Sequence, residues 1–357
     1  MCKMLDVIKN TIAAGQSINR EQALHLLTKV DLLTVGQMAD QQRLLRHPDK
    51  YVSFVVDRNV NYSNICSCKC RFCAFYRDEN DSDAYLLSFD EIFAKVQELV
   101  DNGGTQLLMQ GGVHPNLKIE WFEELFRQLS DRFPTVQIHS LSPAEIIQIA
   151  TLSDISVEQC LRRLQAAGLK SIPGGGAEVL VDEVRQTISP NKIGWRQWAE
   201  VMEQAHELGM KTTATLMFGS CETAEQVVEH LFRVREIQER SGGFTAFISW
   251  TFQPSNTELG GTSATGCDYL KVVALSRLVL DNIENIQASW VTQGDKIAQI
   301  ALRFGANDLG GTMLEENVVA AAGVSFRMSQ QQLIELARDA GFIPVRRTTG
   351  YKVLEVY

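Results

Sequence analysis

The sequence predicts an α/β fold: a TIM-type (β/α)8 barrel preceded by N-terminal helices and finished by a short C-terminal extension. Three observations carry this reading. From Tyr51 onward, β-branched and aromatic runs alternate with amphipathic runs about eight times, which favours a parallel sheet closed into a barrel over an open, doubly wound one. At 357 residues the chain is long enough for one large barrel with a substantial core. Four of its eight cysteines fall within Cys66–Cys73, directly after the first predicted strand, where barrels carry their chemistry.

Residues 1–50 read as helices, with Ile12, Ala13 and Ala14, then Ala23, Leu24, Leu26 and Leu27, at helical spacing. Ser17, Asn19 and Glu21 supply cap chemistry, and these helices are expected to cover one flank of the main domain. Val52 to Asp57 reads as the first strand and runs into the cysteine loop. The alternation then continues with helix 89–102, strand 105–110, helix 120–132, strand 135–139, helices across 143–167 and a strand over 170–173. Helix 194–208, strand 211–218, helix 223–240, strand 244–252, helix 267–282 and strand 284–291 follow, and a last pair around 295–308 completes the set. The barrel is therefore expected over 51–320. Residues 321–357, with a tail over 330–340 and an extended run over 351–356, are expected to pack back on it.

Hydrophobic content of 45% and charged content of 22% are ordinary for a globular enzyme and argue against disorder, coiled coil and fibre. Lysine and arginine number 34 against 43 acidic residues, and a net charge of −9 gives a nucleic-acid partner no overall electrostatic support. No apolar run reaches the roughly 18 residues that span a membrane, and the first residues lack the apolar core of a secretory signal. The expected location is the cytoplasm, where thiols stay reduced.

Cys66, Cys70 and Cys73 stand at Cys-x-x-x-Cys-x-x-Cys spacing, a clustering of thiolates that holds iron–sulfur centres. Three ligands on a four-iron cube leave one iron free to bind a small molecule. A zinc knot with Cys68 as fourth ligand, a disulfide pair and plain buried thiols are the alternatives. No second Cys-x-x-Cys or His-x-x-x-His pair follows downstream, and Cys2, Cys160, Cys221 and Cys267 are scattered singly, so Cys68 reads as a bystander.

In a barrel, residues at the ends of successive strands converge on one mouth. That rule selects Gly111 and Gly112 after the second strand, His139, Ser140 and Ser142 after the third, and Gly174, Gly175, Gly176 and Glu178 after the fourth. A helix cap for Glu178 and a structural role for His139 stay open. Three late segments, 249–257, 287–294 and 305–312, mix aromatics, amides and small residues in a way that suits a partly polar, ring-containing ligand.

The cysteine loop, with Phe72 as the aromatic before the last cysteine, resembles the signature of the radical S-adenosylmethionine (SAM) superfamily. The resemblance implies a [4Fe-4S] cluster on Cys66, Cys70 and Cys73 whose open iron chelates SAM, and reductive cleavage of SAM to a 5′-deoxyadenosyl radical. It further implies that Gly111 and Gly112 receive the methionine amino group, that Glu178 holds the ribose hydroxyls or amino group of SAM, and that the Phe75 backbone meets adenine. Ser142 would face the substrate. The segment Thr215–Glu222 resembles the adenine-lining segment of the superfamily, with Thr215 and Met217 departing from its usual residues.

Within the superfamily, Asn61–Asn64 with Cys73–Arg77, Pro173–Glu178, Ala288–Gly294 and Asn307–Asn317 resemble the family that cyclises dehypoxanthine futalosine on the route to menaquinone. That resemblance implies hydrogen abstraction at ribose C4′, radical attack on the benzoate ring, and a flavodoxin or ferredoxin as electron donor. A base must then accept the ring proton, with His139 and Asp308 as candidates, and Arg303, Arg346 or Arg347 would receive the benzoate carboxylate. Aminofutalosine synthases and deazaflavin-forming enzymes share the cysteine loop and barrel. A noncatalytic metal-cluster module is the alternative from another class.

Overall fold

The computed structural model describes residues 2–357, and eight parallel strands in it return on themselves around a central lumen. The closure depends on one strand that serves two neighbours. β1 (Tyr51–Val55) and β2 (Asp57–Val60) are a single run bent at Val56. β2 pairs parallel with β3 (Gln106–Met109), which starts the succession β4 (Gln137–Ser140), β5 (Leu169–Ile172), β6 (Lys211–Phe218), β7 (Phe244–Thr251), β8 (Asn285–Gln287) and β9 (Asp308–Gly311). β9 then pairs parallel with β1, Ser53 opposite Asp308 and Val55 opposite Gly311, so the first strand also closes the ring.

The remaining length of β1 pairs with β10 (Ile343–Arg347), parallel, and β10 carries the antiparallel β11 (Val353–Val356) on its outer edge. The strand β10 is absent from the sequence reading. Its short sequence Ile-Pro-Val-Arg-Arg contains a proline and shows little apolar alternation, and it exists because the lower part of β1 offers an unpaired edge. The predicted strand 284–291 is shorter than expected, since Trp290 already opens the helix Trp290–Ala301.

Helices return each strand to the next. Several begin with a Ser or Thr whose side chain bonds the third helical backbone N–H while a Glu, Gln or Asp there bonds back: Ser88 with Glu91, Ser142 with Glu145, Ser156 with Gln159, Thr223 with Gln226, Thr265 with Asp268. Their apolar faces bury Leu, Ile, Val and Phe against the strands, as in the helix Phe89–Asp101 with Ile92, Phe93, Val96 and Leu99. The N-terminal helices Arg20–Lys29 and Leu32–Arg46 pack against the helices Ala224–Ser241 and Gly266–Val279, their Leu26, Val35 and Ala39 fully buried. Asn19 caps the first of them, while the Ser17 hydroxyl instead bonds Asp281. Among the described residues no helix is long and apolar enough to cross a membrane.

Candidate active site

Strand side chains alternate between helices and lumen, so residues of one parity line a single cavity of about 390 Å³. Val55, Asp57, Asn59 and Asn61 come from the bent first strand, Gln106, Leu108 and Gln110 from β3, His139 from β4, Thr213 and Thr215 from β6, and Ile248 and Trp250 from β7. Gln287 to Thr292, Gly310 and Gly311 complete the ring, which brings parts of all three late segments singled out by composition to one space.

At the mouth, Cys66, Cys68, Cys70 and Cys73 are free thiols gathered with Phe72, Val113, Ala144 and Ile193 in one small apolar cluster. The neighbouring Cys68 thiol lowers Cys66 below the usual thiol range, while burial pushes Cys70 up to about 12. Lys69 sits in this loop at φ 46°, a left-handed conformation that turns successive cysteines inward. A set of free, convergent thiols under an apolar wall fits an iron–sulfur centre, whose positive irons favour thiolates over thiols. Phe72 and Phe75 line the cavity beside them.

Gly111 and Gly112 lie directly against this loop, and the physical reason for the pair differs from a simple opening for ligand. A Cβ at Gly112 would stand 2.2 Å from the Ile65 carbonyl oxygen and 2.9 Å from Cys66 Cβ, and one at Gly111 would meet the Tyr62 ring at 2.7 Å. The Val113 N–H donates to Cys66 Sγ at 3.3 Å and Ser67 N–H to the Val113 carbonyl at 2.9 Å, so the glycine segment positions the thiols. Gly112→Ala is therefore expected to cost roughly 1–3 kcal/mol in overpacking and to reduce the iron retained per chain after anaerobic reconstitution.

Glu178, buried at the mouth with φ 39°, accepts from Lys192 Nζ at 2.9 Å and faces Arg185 at 3.5 Å. A non-glycine residue held in the left-handed region marks a position the surroundings impose, as at functional sites. Burial works against the charge on Lys192, but Glu178 and the neighbouring thiols outweigh it and its pKa is raised. Lys192 was not singled out from sequence, since it arrives from a loop 14 residues beyond Glu178 with no strand end to flag it.

Ser142 lines the cavity, yet its hydroxyl is engaged, donating to Glu145 Oε2 at 2.6 Å as the cap of the helix Pro143–Leu152. Glu145 also accepts from the Tyr62 hydroxyl at 2.8 Å and the Gly111 N–H at 3.1 Å. This buried carboxylate ties the glycine segment to the third βα loop, and the Ser-x-x-Glu spacing was its signal in the sequence.

Deeper in the barrel the two proposed bases are corrected by their surroundings. Asp308 is wholly buried and is not among the residues that line the cavity: Arg347 donates to both its oxygens at 2.6 and 2.9 Å, and Ser53 Oγ and the Gly310 N–H add bonds at 2.5 and 2.8 Å. A carboxylate so saturated has no lone pair to offer a substrate. His139 does line the cavity, but burial and the charge of Arg347 lower it to about 3, so its neutral ring is a weak proton acceptor, and Nδ1 is already bonded to Ser171 Oγ at 2.7 Å. Of the three arginines considered for a carboxylate, Arg303 bonds the Ala340 carbonyl and Arg346 pairs with Glu355, both outside the cavity. Arg347 alone reaches it, from β10, with Thr349 and Tyr351 two and four residues on along the same face. The Thr349 hydroxyl is buried without a partner.

Comparison with known proteins shows the family to which the chain belongs. Residues 60–234 match the Radical SAM superfamily and residues 241–357 match the CofH/MqnC C-terminal region. The chain is 45% identical to a cyclic dehypoxanthine futalosine synthase of Halalkalibacterium halodurans, across 99% of this chain and 96% of that protein. A protein of the same name from Streptomyces coelicolor is 42% identical, covering 99% and 90%. A 5-amino-6-(D-ribitylamino)uracil–L-tyrosine 4-hydroxyphenyl transferase of Methanothermobacter thermautotrophicus is also 42% identical, covering 96% of each. Among solved structures, methylornithine synthase superposes with a TM-score of 0.75 at 16% identity, covering 95% of this chain and 97% of that one, which speaks to the fold.

Proposed function

This chain belongs to the radical SAM superfamily, and on that premise we propose that it converts dehypoxanthine futalosine to cyclic dehypoxanthine futalosine in menaquinone biosynthesis. The observation that carries the reading is 42–45% identity over nearly the full length to two enzymes of that name, spanning both the cysteine loop and the C-terminal region. The cofactors of this family are a [4Fe-4S] cluster and SAM, which when bound supply a 5′-deoxyadenosyl radical.

Cys66, Cys70 and Cys73 would hold three of the irons. Glu178, backed by Lys192 and Arg185, would accept hydrogen bonds from the ribose or amino group of SAM, with the backbone of Gly111 and Gly112 beside the cysteine loop and Phe72 and Phe75 on the adenosyl side. The substrate would lie along the lumen, its hydroxyls among Asn59, Asn61, Gln106 and Gln287 and its benzoate ring in reach of Trp250 and Arg347. Its ribose C4′ hydrogen is lost, the carbon radical closes onto the ring, and a proton and an electron leave. The narrow lumen fixes sugar and ring in contact, which is what a fast intramolecular attack requires, and excludes competing hydrogen donors. A flavodoxin or ferredoxin would deliver the electron for SAM cleavage, in the cytoplasm.

The transferase relatives favour a second reading, joining a tyrosine-derived group to a ribitylaminouracil. One experiment separates the two: reduced, reconstituted protein is given SAM with dehypoxanthine futalosine, or SAM with tyrosine and 5-amino-6-(D-ribitylamino)uracil. A product two hydrogens lighter than dehypoxanthine futalosine, formed with 5′-deoxyadenosine, is the expected result, and turnover only of the second pair would replace the first reading. In the same assay Glu178→Gln is expected to weaken SAM binding about 10- to 100-fold, the loss of a charged hydrogen bond worth about 1.5–3 kcal/mol, while iron content stays at the parent level.

A further inference from the structure

Resting on the cyclisation proposed above, we infer that Asp57 is the catalytic base that removes the ring proton after the new carbon–carbon bond has formed. Four carboxylates line the cavity: Asp57, Glu145, Glu178 and Glu316. Glu145 is saturated by the Tyr62 and Ser142 hydroxyls and two backbone N–H groups. Glu178 is held by Lys192 and Arg185, and Glu316 accepts the N–H groups of Val318, Val319 and Ala320. Asp57 is left with one ordinary bond, from the Met313 N–H to Oδ1 at 2.8 Å, and a longer one from Gln106 Nε2 to Oδ2 at 3.2 Å. Its carboxylate is bonded by neither a cation nor a hydroxyl, and it stands at the lumen-facing parity of the bent strand, between Val55 and Asn59.

The space around this carboxylate is made for it. A Cβ on Gly311, across the seam where β9 meets the first strand, would stand 2.0 Å from Oδ1 and 2.2 Å from Oδ2, so only glycine leaves room there. The charged and titratable groups that face Asp57 are few. Arg347 from β10 favours its ionised form and Asp308 from β9 opposes it, while neutral His139 and Tyr351 share the same cavity. Burial dominates the balance and sets Asp57 at about 6, where a carboxylate is still largely ionised near neutral pH and is a far stronger proton acceptor than an exposed one.

The step balances. Attack of the C4′ radical on the ring leaves one carbon bearing both the new bond and a hydrogen. Asp57 takes that hydrogen as a proton, the two electrons of the broken C–H bond restore the aromatic ring, and the remaining unpaired electron leaves to a one-electron acceptor of the iron–sulfur class, as the cofactor set of the family provides. Asp57 ends protonated and returns its proton to solvent on product release.

The test compares reconstituted parent and Asp57→Asn enzyme, given SAM and dehypoxanthine futalosine under reduction. The amide still accepts from Met313 and keeps the shape of the side chain, and a matched thermal midpoint and iron content establish that the variant is folded and loaded. The expected result is continued formation of 5′-deoxyadenosine with a fall of about 10²-fold or more in cyclic product per deoxyadenosine, together with build-up of a substrate-derived organic radical by electron paramagnetic resonance. In the parent, product per deoxyadenosine should rise with pH through about 6 and level off above it, because only the ionised carboxylate accepts the proton, and Asp57→Asn should flatten that rise. An unchanged ratio and an unchanged pH profile in the variant would overturn the assignment of Asp57 while leaving the cyclisation itself standing. Absence of cyclic product from the parent would instead overturn the cyclisation.

Discussion

Cys70→Ala protein is expected to emerge from anaerobic reconstitution without the brown absorption of an iron–sulfur centre and to make no detectable 5′-deoxyadenosine. Cys70 is the most buried of the three spaced cysteines, packed with Val113 and Ala144 beneath the loop, and its thiol has no other bonding partner that would explain it. Removing one of three thiolates leaves two irons of the cube without protein ligands, and such a centre does not persist. Cys68→Ser is the matched control, since Cys68 lies with Cys66 in the same apolar cluster yet falls outside the spacing. It should retain iron and SAM cleavage at close to parent levels. Equal iron content in Cys70→Ala and the parent would remove the basis of the proposed chemistry.

Arg347→Met should be the most damaging single change to stability away from the cysteine loop. Arg347 and Asp308 form a bidentate pair with side chains 5% and 0% exposed, and the guanidinium also lies 3.9 Å from the centre of the Tyr351 ring. Deleting one partner of such a pair leaves the other charge buried and uncompensated, a cost of about 3–5 kcal/mol. Because the pair joins β9 to β10 beside β1, the loss also loosens the seam at which the barrel closes. The thermal midpoint should drop sharply, and the double variant Arg347→Met with Asp308→Leu should recover most of it, since two apolar side chains remove the stranded charge. A double variant no more stable than the single one would show that the pair does not account for the effect.

Much of this arrangement was legible in the chain because two periodicities carry it. The strand-then-helix alternation gave nearly every barrel element, and the rule that strand ends share a mouth brought Phe72, Phe75, Gly112, Glu178 and the late segments to one cavity from positions more than 200 residues apart. Asp57 was legible in principle, as a charged residue at the inward parity of a strand, but the first strand appeared to stop there because Asp57-Arg58-Asn59 breaks the apolar run. What sequence could not yield was partnership. Asp308 looked free until Arg347 arrived from 39 residues downstream, and His139 looked titratable until burial was known. β10 had no signature of its own, being defined by the unpaired edge it covers.

The bend at Val56 also dictates when the reaction chamber can come into being. Residues 51–55 must meet 308–311 on one side and 343–347 on the other, contacts that span most of the polypeptide, so the strand that leads into the cysteine loop lacks these partners during most of synthesis. Insertion of the inorganic cofactor into a sheltered lumen therefore has to await emergence of the segment through Tyr351 from the ribosome, and a nascent chain arrested before it would present its cysteines in an open, oxygen-vulnerable trough.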